Sequence, residues 1–258
     1  MRQFVLLVLL FLAPHMANAG SMPDITGIAY EHRAGAALPL HIMLRDDDGQ
    51  IVRLSEIIGG RPLVLTLGYF RCASLCGVLR ANLLLALEQA HLVAGRDFSF
   101  ATLSVDPSET AKNASAIKAK ELEVHPAFEP KNFHFLTGEP DAVTKLAEAI
   151  GFKSLALREN SFVHPLGVVF VSPSGIVSSY MLGIGYPPDD LRLALRRAAA
   201  GEIAPAASPL LLLCYDFDAA TGHYTFAIMK FLRLASAATA VITLAALARV
   251  VLGERLGA

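Results

Sequence analysis

Little of this chain's chemistry can come from net charge. Lys and Arg number 22, Asp and Glu 23, and the formal net charge is −1. No basic excess is available to attract a nucleic acid. Cysteine is scarce too: three residues cannot build a disulfide framework, and a functional pair plus one spare fits better. No two of them stand in a CxxC, the spacing usual in thiol–disulfide oxidoreductases. Internal repeats and low-complexity blocks are also missing. What remains is an apolar chain, 54% hydrophobic, with much of that character at its two ends.

The N-terminus reads Met1-Arg2-Gln3, then an apolar run from Phe4 to Ala13, then Ala17-Asn18-Ala19. A basic start, a run too short for a span and a small-x-small site predict a signal peptide over 1–19. At the other end, Leu234 to Leu252 would extend ~28 Å as a helix, enough for a hydrocarbon core. A transmembrane helix over 234–252 follows, with Arg249 snorkelling to the headgroups and 253–258 as a cytoplasmic tail. The alternative is an amphipathic helix lying on the membrane surface. Together the two ends imply a bacterial inner-membrane protein with its main domain in the periplasm. Residues 20–201 are enough for one domain with a sizeable core, and 202–233 form a juxtamembrane linker carrying Pro205 and Pro209.

Between the ends, strands alternate with helices. Asp46-Asp47-Asp48-Gly49 marks a hairpin turn. Leu63 to Leu67 is a continuous apolar run and reads as a buried strand. A helix from Val78 to about Leu92 follows, then a strand from Phe98 to Val105 that stops at Asp106-Pro107. Ser108 to Glu121 reads as a helix with Glu109 in its first turn. Next come a short strand, Asn132 to Leu136, and a helix from Asp141 to Ile150 closed by Gly151. Strands Leu166 to Val171 and Ile176 to Met181 flank the turn Ser172-Pro173-Ser174-Gly175. Pro188 to Ala200 is the last helix, with Gly201 after its end. This order predicts an α/β sheet with a late antiparallel hairpin.

Cys72 and Cys76 lie in Gly68-Tyr69-Phe70-Arg71-Cys72-Ala73-Ser74-Leu75-Cys76-Gly77, at the junction of the Leu63 to Leu67 strand with the following helix. Their spacing of four predicts both thiols on one face of the first helical turn, where unpaired N–H groups favour the thiolate. A dithiol at a helix tip after a central strand suggests a thioredoxin-like fold. Paired thiolates there can do redox chemistry or bind copper(I), and a third ligand would let the site hold copper(II) as well. Of the eight histidines, His164 is the best placed, because the loop entering the Leu166 strand would face the thiol helix. On position alone it is either a ligand or a partly buried loop histidine bonded to backbone.

Other polar residues and the third cysteine carry weaker signals. Asp106 reads as a helix cap ahead of Ser108, with a supporting role beside a metal site as the alternative. His134 lies in an alternating strand, which favours a structural role. Cys214 reads as a buried juxtamembrane thiol, the alternative being an auxiliary copper ligand with His223. Asp216, Asp218 and Gly222 read as a turn, too sparse for a calcium loop.

Taken together, these motifs resemble the Sco/SenC copper chaperones of cytochrome c oxidase assembly, over roughly Leu40 to Ala200. The resemblance rests on Gly68-Tyr69 leading into Cys72-x-x-x-Cys76, on Leu103-Ser104-Val105-Asp106-Pro107, on Phe133-His134-Phe135-Leu136-Thr137-Gly138, and on His164 ahead of the late hairpin. Tyr186-Pro187-Pro188-Asp189-Asp190-Leu191 and Cys214-Tyr215-Asp216-Phe217-Asp218 further resemble a branch with a C-terminal membrane segment. Ala73 and Gly77 stand where the family usually has proline or a polar residue and then proline; neither change removes a ligand. Arg71, also less usual there, would favour the Cys72 thiolate. The resemblance implies copper bound by Cys72, Cys76 and His164, and the copper-accepting subunit of a haem–copper oxidase as partner. The chain would deliver copper to that subunit or reduce its copper-site cysteines. Two enzyme readings compete. A thiol–disulfide oxidoreductase would need Cys72 and Cys76 but not His164. A peroxide-reducing thiol enzyme would need an oxyanion-stabilising shell that no motif supplies.

Overall fold

The structure, a computed structural model, describes residues 28–72, 75–158, 161–204, 215–218, 223–226, 236–240, 242–243 and 249. The predicted signal peptide and Cys214 lie outside these residues.

Strand β3 (Leu63–Gly68) is the axis of the molecule, and every one of its residues is buried. It can be apolar throughout because both faces of the sheet are covered. Strand β4 (Ser99–Ser104) and then β5 (Phe133–Leu136) lie parallel on one side of it; β8 (Gly167–Val171) and then β9 (Val177–Leu182) run antiparallel on the other. The order β4-β3-β8-β9, two parallel strands beside an antiparallel hairpin, is the thioredoxin plan, extended at one edge by β5. The expected α/β class and late hairpin are therefore present.

Alternation along β3 sends Val64 into one core and Leu63, Leu65 and Leu67 into the other. The first core packs Leu79, Leu83, Leu84 and Leu87 of α2 (Leu75–Gln89) and Leu191, Leu195 and Ala198 of α5 (Pro188–Ala199) against Phe100, Phe133, Phe135 and Phe170. The α2 leucines recur at helical spacing, so one face of the helix is apolar. The second core joins α1 (Leu54–Ile58) and α4 (Pro140–Ala149) to the opposite face; Leu146 and Ile150 are fully buried there. Each such leucine contributes roughly 1.5–3 kcal/mol by leaving water. Helix α5 starts on Pro188, with Asp189 and Asp190 in its first turn and Arg196 and Arg197 in its last, charges that complement its dipole.

Helix α3 (Ala111–Val124) begins three residues later than Ser108. Asp106 Oδ1 takes the Ser108 N–H at 2.8 Å and closes a turn of its own. The helix is capped by Thr110, whose N–H donates to Asn113 Oδ1 at 2.9 Å. Asp106 is thus not the cap, and Glu109 is not in the first helical turn.

Two hairpins stand where loops or linker were expected. Strands β6 (Leu155–Arg158) and β7 (Ser161–Val163) pair immediately before His164. Further on, β10 (Tyr215–Asp218) pairs with β11 (His223–Phe226), so Asp216 and Asp218 lie in a strand and not in a turn. Their aromatic residues alternate with polar ones, a strand period inside the predicted linker. The Asp46 to Gly49 turn joins β1 (Met43–Arg45) and β2 (Ile51–Arg53) as expected. Most of 234–252 lies outside the described residues; 236–240, 242–243 and 249 within it are helical. Among the described residues, no helix is long and apolar enough to cross a membrane.

Candidate metal centre

Gly68 ends β3, and the chain leaves the sheet through Tyr69, Phe70 and Arg71 to reach Cys72. Cys72 lies outside the helix; only Cys76 is in the first turn of α2, which starts at Leu75. The prediction of both thiols on one helical face is corrected accordingly. Their sulfurs nonetheless lie within 4.8 Å of each other. From the opposite wall comes His164, on the segment between β7 and β8. The antiparallel pairing of β8 with β3 places the entrance of β8 beside the exit of β3, as in Leu65 opposite Val169.

The metal-binding atoms of Cys72, Cys76 and His164 all lie within 4.8 Å of one another. Cys76 Sγ is 2.9 Å from His164 Nε2. The other ring nitrogen, Nδ1, is 3.0 Å from the carbonyl of Pro165. A carbonyl only accepts, so Nδ1 carries the proton and Nε2 presents its lone pair to the thiols. A first-row metal ion bonds nitrogen and sulfur at about 2.0–2.3 Å, so one ion can reach all three donors after small side-chain adjustments. Two sulfurs and one imidazole suit copper in either oxidation state. Tyr69 and Phe152 flank the His164 ring, each at a centroid distance of 5.8 Å, and Phe162 of β7 packs on Tyr69 at 5.6 Å. Gly68 forms the floor: a methyl group there would meet His164 Cε1 at 3.5 Å and Cys76 Sγ at 3.7 Å.

The helix terminus does not control Cys76 as expected. The hydrogen bond with Cys72, then burial, then the charge Cys72 can carry, push the Cys76 thiol up, away from the thiolate. Burial, followed by the hydrogen bond with Cys72, pushes the Tyr69 phenol up to about 12. The metal-free pair therefore keeps a proton that a metal must displace.

The loop before Cys72 is held by acids. Arg71 Nη2 donates to Asp106 Oδ2 at 3.0 Å, and Arg71 Nε lies 3.4 Å from Glu109 Oε1. Although burial opposes it, the bonds from Ser108 and Arg71 keep the Asp106 carboxyl below its usual range. Asp106 is thus a neighbour of the metal loop through Arg71. Glu109, hidden in the sequence as an ordinary helix-start residue, is buried against the backbone of Phe70 and Arg71. Its one sequence signal is the family-like Asp106-Pro107 turn just ahead of it.

His134 belongs elsewhere. It sits on β5, separated from β3 by β4, and pairs with Ala101. Burial, reinforced by Lys118, pushes its pKa down, as expected of a structural histidine. Among the described residues it joins no metal-binding group.

A thioredoxin-like sheet with two thiols and an imidazole converging at the end of its central strand defines a class: small thiol proteins able to hold a soft metal or exchange disulfides. Comparison with known proteins narrows it. A model of the SCO1/SenC family matches residues 33–199, and the chain belongs to that family. Among solved structures, an electron transfer protein from Aquifex aeolicus VF5, described as putative, is similar at 26% identity and a TM-score of 0.59, covering 66% of this chain and 95% of that one. A SCO1/SenC family lipoprotein from Bacillus anthracis str. Ames is 20% identical with a TM-score of 0.56, over 66% of this chain and 99% of its own. Arabidopsis thaliana ScoI, solved with copper bound, is 19% identical with a TM-score of 0.52, again over 66% and 99%. No curated protein matches the chain.

Proposed function

We propose that this chain is a membrane-anchored periplasmic copper chaperone, with Cys72, Cys76 and His164 as the ligands. The observation that carries the reading is the convergence of two sulfurs and the His164 Nε2 within 4.8 Å. Copper is cargo here. Its recipient is the copper-accepting subunit of a haem–copper oxidase, as membership of the SCO1/SenC family suggests. The copper bound to the Arabidopsis relative supports the choice of metal. The anchor is the 234–252 segment, and the signal peptide over 1–19 carries the domain across the membrane.

This chain's own contribution is a site that can load and release. Cys72 and Cys76 give copper(I) a two-coordinate hold, and His164 adds the nitrogen that copper(II) needs. Loading must displace the proton that the pair keeps, so affinity rises with pH. The closeness of the two thiols, within 4.8 Å, also supports a second reading, a thiol–disulfide oxidoreductase. In that reaction, Cys72 and Cys76 give up two electrons and two protons to a partner disulfide. A new Cys72–Cys76 bond forms, and the partner leaves with two thiols.

Anaerobic copper titration of the full chain separates the two. The reduced protein is expected to retain one copper per chain and the Cys72–Cys76 disulfide form none, because the disulfide consumes two of the three ligands. Equal retention by both forms would remove the dithiol site. No retention by either form would leave the oxidoreductase.

A further inference from the structure

Glu109 is a buried acid beside the metal loop and is not one of the three candidate ligands. Its side chain has no solvent exposure. Oε2 accepts the Phe70 N–H at 2.7 Å and the Ser104 hydroxyl at 2.6 Å. Oε1 accepts the Arg71 N–H at 2.6 Å. A single carboxylate thus spans two consecutive backbone N–H groups, in short charge-assisted bonds of the strong kind. Burying a charge so completely is costly unless it is paired and hydrogen-bonded, and here both oxygens are engaged.

The two N–H groups belong to the residues directly before Cys72. They lie past the end of β3, where the sheet no longer supplies acceptors, and before α2 begins. From the opposite side, Phe70 anchors the same stretch: it is buried and stacks on Phe135 at a centroid distance of 5.9 Å. Arg71 adds a tether through Asp106. With the peptide groups of 70 and 71 set, the direction in which Cys72 leaves the backbone is set too.

We propose that Glu109 is the positioning residue of the dithiol. By holding the Phe70 and Arg71 N–H groups it fixes the approach of Cys72 toward Cys76 and His164. Without that hold the loop samples other orientations, and the effective concentration of one thiol at the other falls. The copper consequence rests on the chaperone reading; the dithiol consequence does not.

The test uses the full chain in a Cys214→Ser background, so that one dithiol is read. Glu109→Gln keeps the shape and loses the charge and one acceptor. Glu109→Asp keeps the charge but is too short to span both N–H groups. Asp47→Asn is the control. It makes the same acid-to-amide change at a partly buried carboxylate that holds Lys118 at 2.6 Å and the Phe135 N–H at 3.4 Å and bonds neither the Phe70 nor the Arg71 N–H. Each protein is equilibrated with glutathione, two thiols reducing the Cys72–Cys76 disulfide to the dithiol and leaving as one disulfide. Copper(I) affinity and thermal midpoint are measured alongside. Both Glu109 variants are expected to move the equilibrium about tenfold toward the dithiol, about 30 mV for a two-electron couple, and to weaken copper(I) about tenfold. Asp47→Asn should lower the midpoint and move neither. An unchanged glutathione equilibrium in both Glu109 variants would overturn the proposal. So would a shift toward the disulfide, or an equal shift in Asp47→Asn. A wild type that holds no copper would end the chaperone reading, and the glutathione arm would still decide the role of Glu109.

Discussion

His164 makes the difference between a dithiol and a three-ligand metal site. Its Nδ1 is occupied by the Pro165 carbonyl, so the ring is oriented before any metal arrives. Copper(I) can stay two-coordinate on Cys72 and Cys76, whereas copper(II) prefers more ligands and nitrogen among them. His164→Ala should therefore weaken copper(II) about a hundredfold, a loss of about 2.7 kcal/mol, and copper(I) by less than about tenfold. Titration with each ion, with the visible thiolate-to-metal absorption of copper(II) as a second readout, checks this. A wild-type copper(II) affinity in the variant would remove His164 from the ligand set. Gly68 gives a companion test. An added methyl would lie 3.5–3.7 Å from the His164 ring and Cys76 Sγ, ordinary contact in the metal-free protein. Gly68→Ala should fold with an unchanged thermal midpoint and bind copper at least tenfold more weakly, since the methyl crowds the two donors that must shift to take an ion. If the variant bound copper normally, the metal would have to sit away from the β3 floor.

At the scale of elements, the strand ends and loops build the site. The exit of β3, the first turn of α2 and the entrance of β8 each bring one part of it, and β6 and β7 lay Phe162 over it through Tyr69. The runs that are apolar in strand or helix period (β3, β4, β8, β9, α2, α4 and α5) were legible in the sequence to within a few residues. The hairpin of β6 and β7 was not, because among the described residues its two short strands pair only with each other. The start of α3 was misplaced because Asp106, Ser108 and Thr110 are all residues that cap helices, and only the turn closed by Asp106 chooses among them. Strand β5 carries a pH prediction. Burial holds His134 below its ordinary 6.5, Lys118 adding to the effect and Asp47 and Asp46 opposing it. The folded form thus favours the neutral ring, and the unfolded chain binds the extra proton first. Stability from this residue is complete above pH 6.5 and is lost as pH falls from 6.5 through the depressed folded value. Denaturant midpoints of wild type and His134→Gln between pH 7.5 and 5 should converge as pH falls. A parallel pair of curves would show that His134 titrates alike in both states.

The whole molecule joins a SCO1/SenC family domain to two apolar ends, and the proposed topology is open to test. Reporter fusions after Gly201 and after Ala258 should report opposite sides of the membrane, the first periplasmic and the second cytoplasmic. Reporters on one side would leave a helix lying on the surface. The sequence by itself determined the class of fold, the placement of Cys72 and Cys76 between a strand and a helix, and the glycine stops that close α4 and α5. All of these follow from hydrophobic period and local backbone chemistry, which act over a few residues. The sequence put His164 forward, but only the tertiary structure brings its ring to the thiols. His164 lies 88 residues from Cys76 and His134 lies closer along the chain, yet His164 Nε2 reaches the sulfur at 2.9 Å. His134 pairs instead with Ala101 on the far side of β4. The same holds for Glu109, whose acceptors meet N–H groups 38 and 39 residues away. Such meetings depend on sheet order and on the antiparallel pairing of β8 with β3, which are set by the packing of the whole core and leave no local trace in the residues that meet.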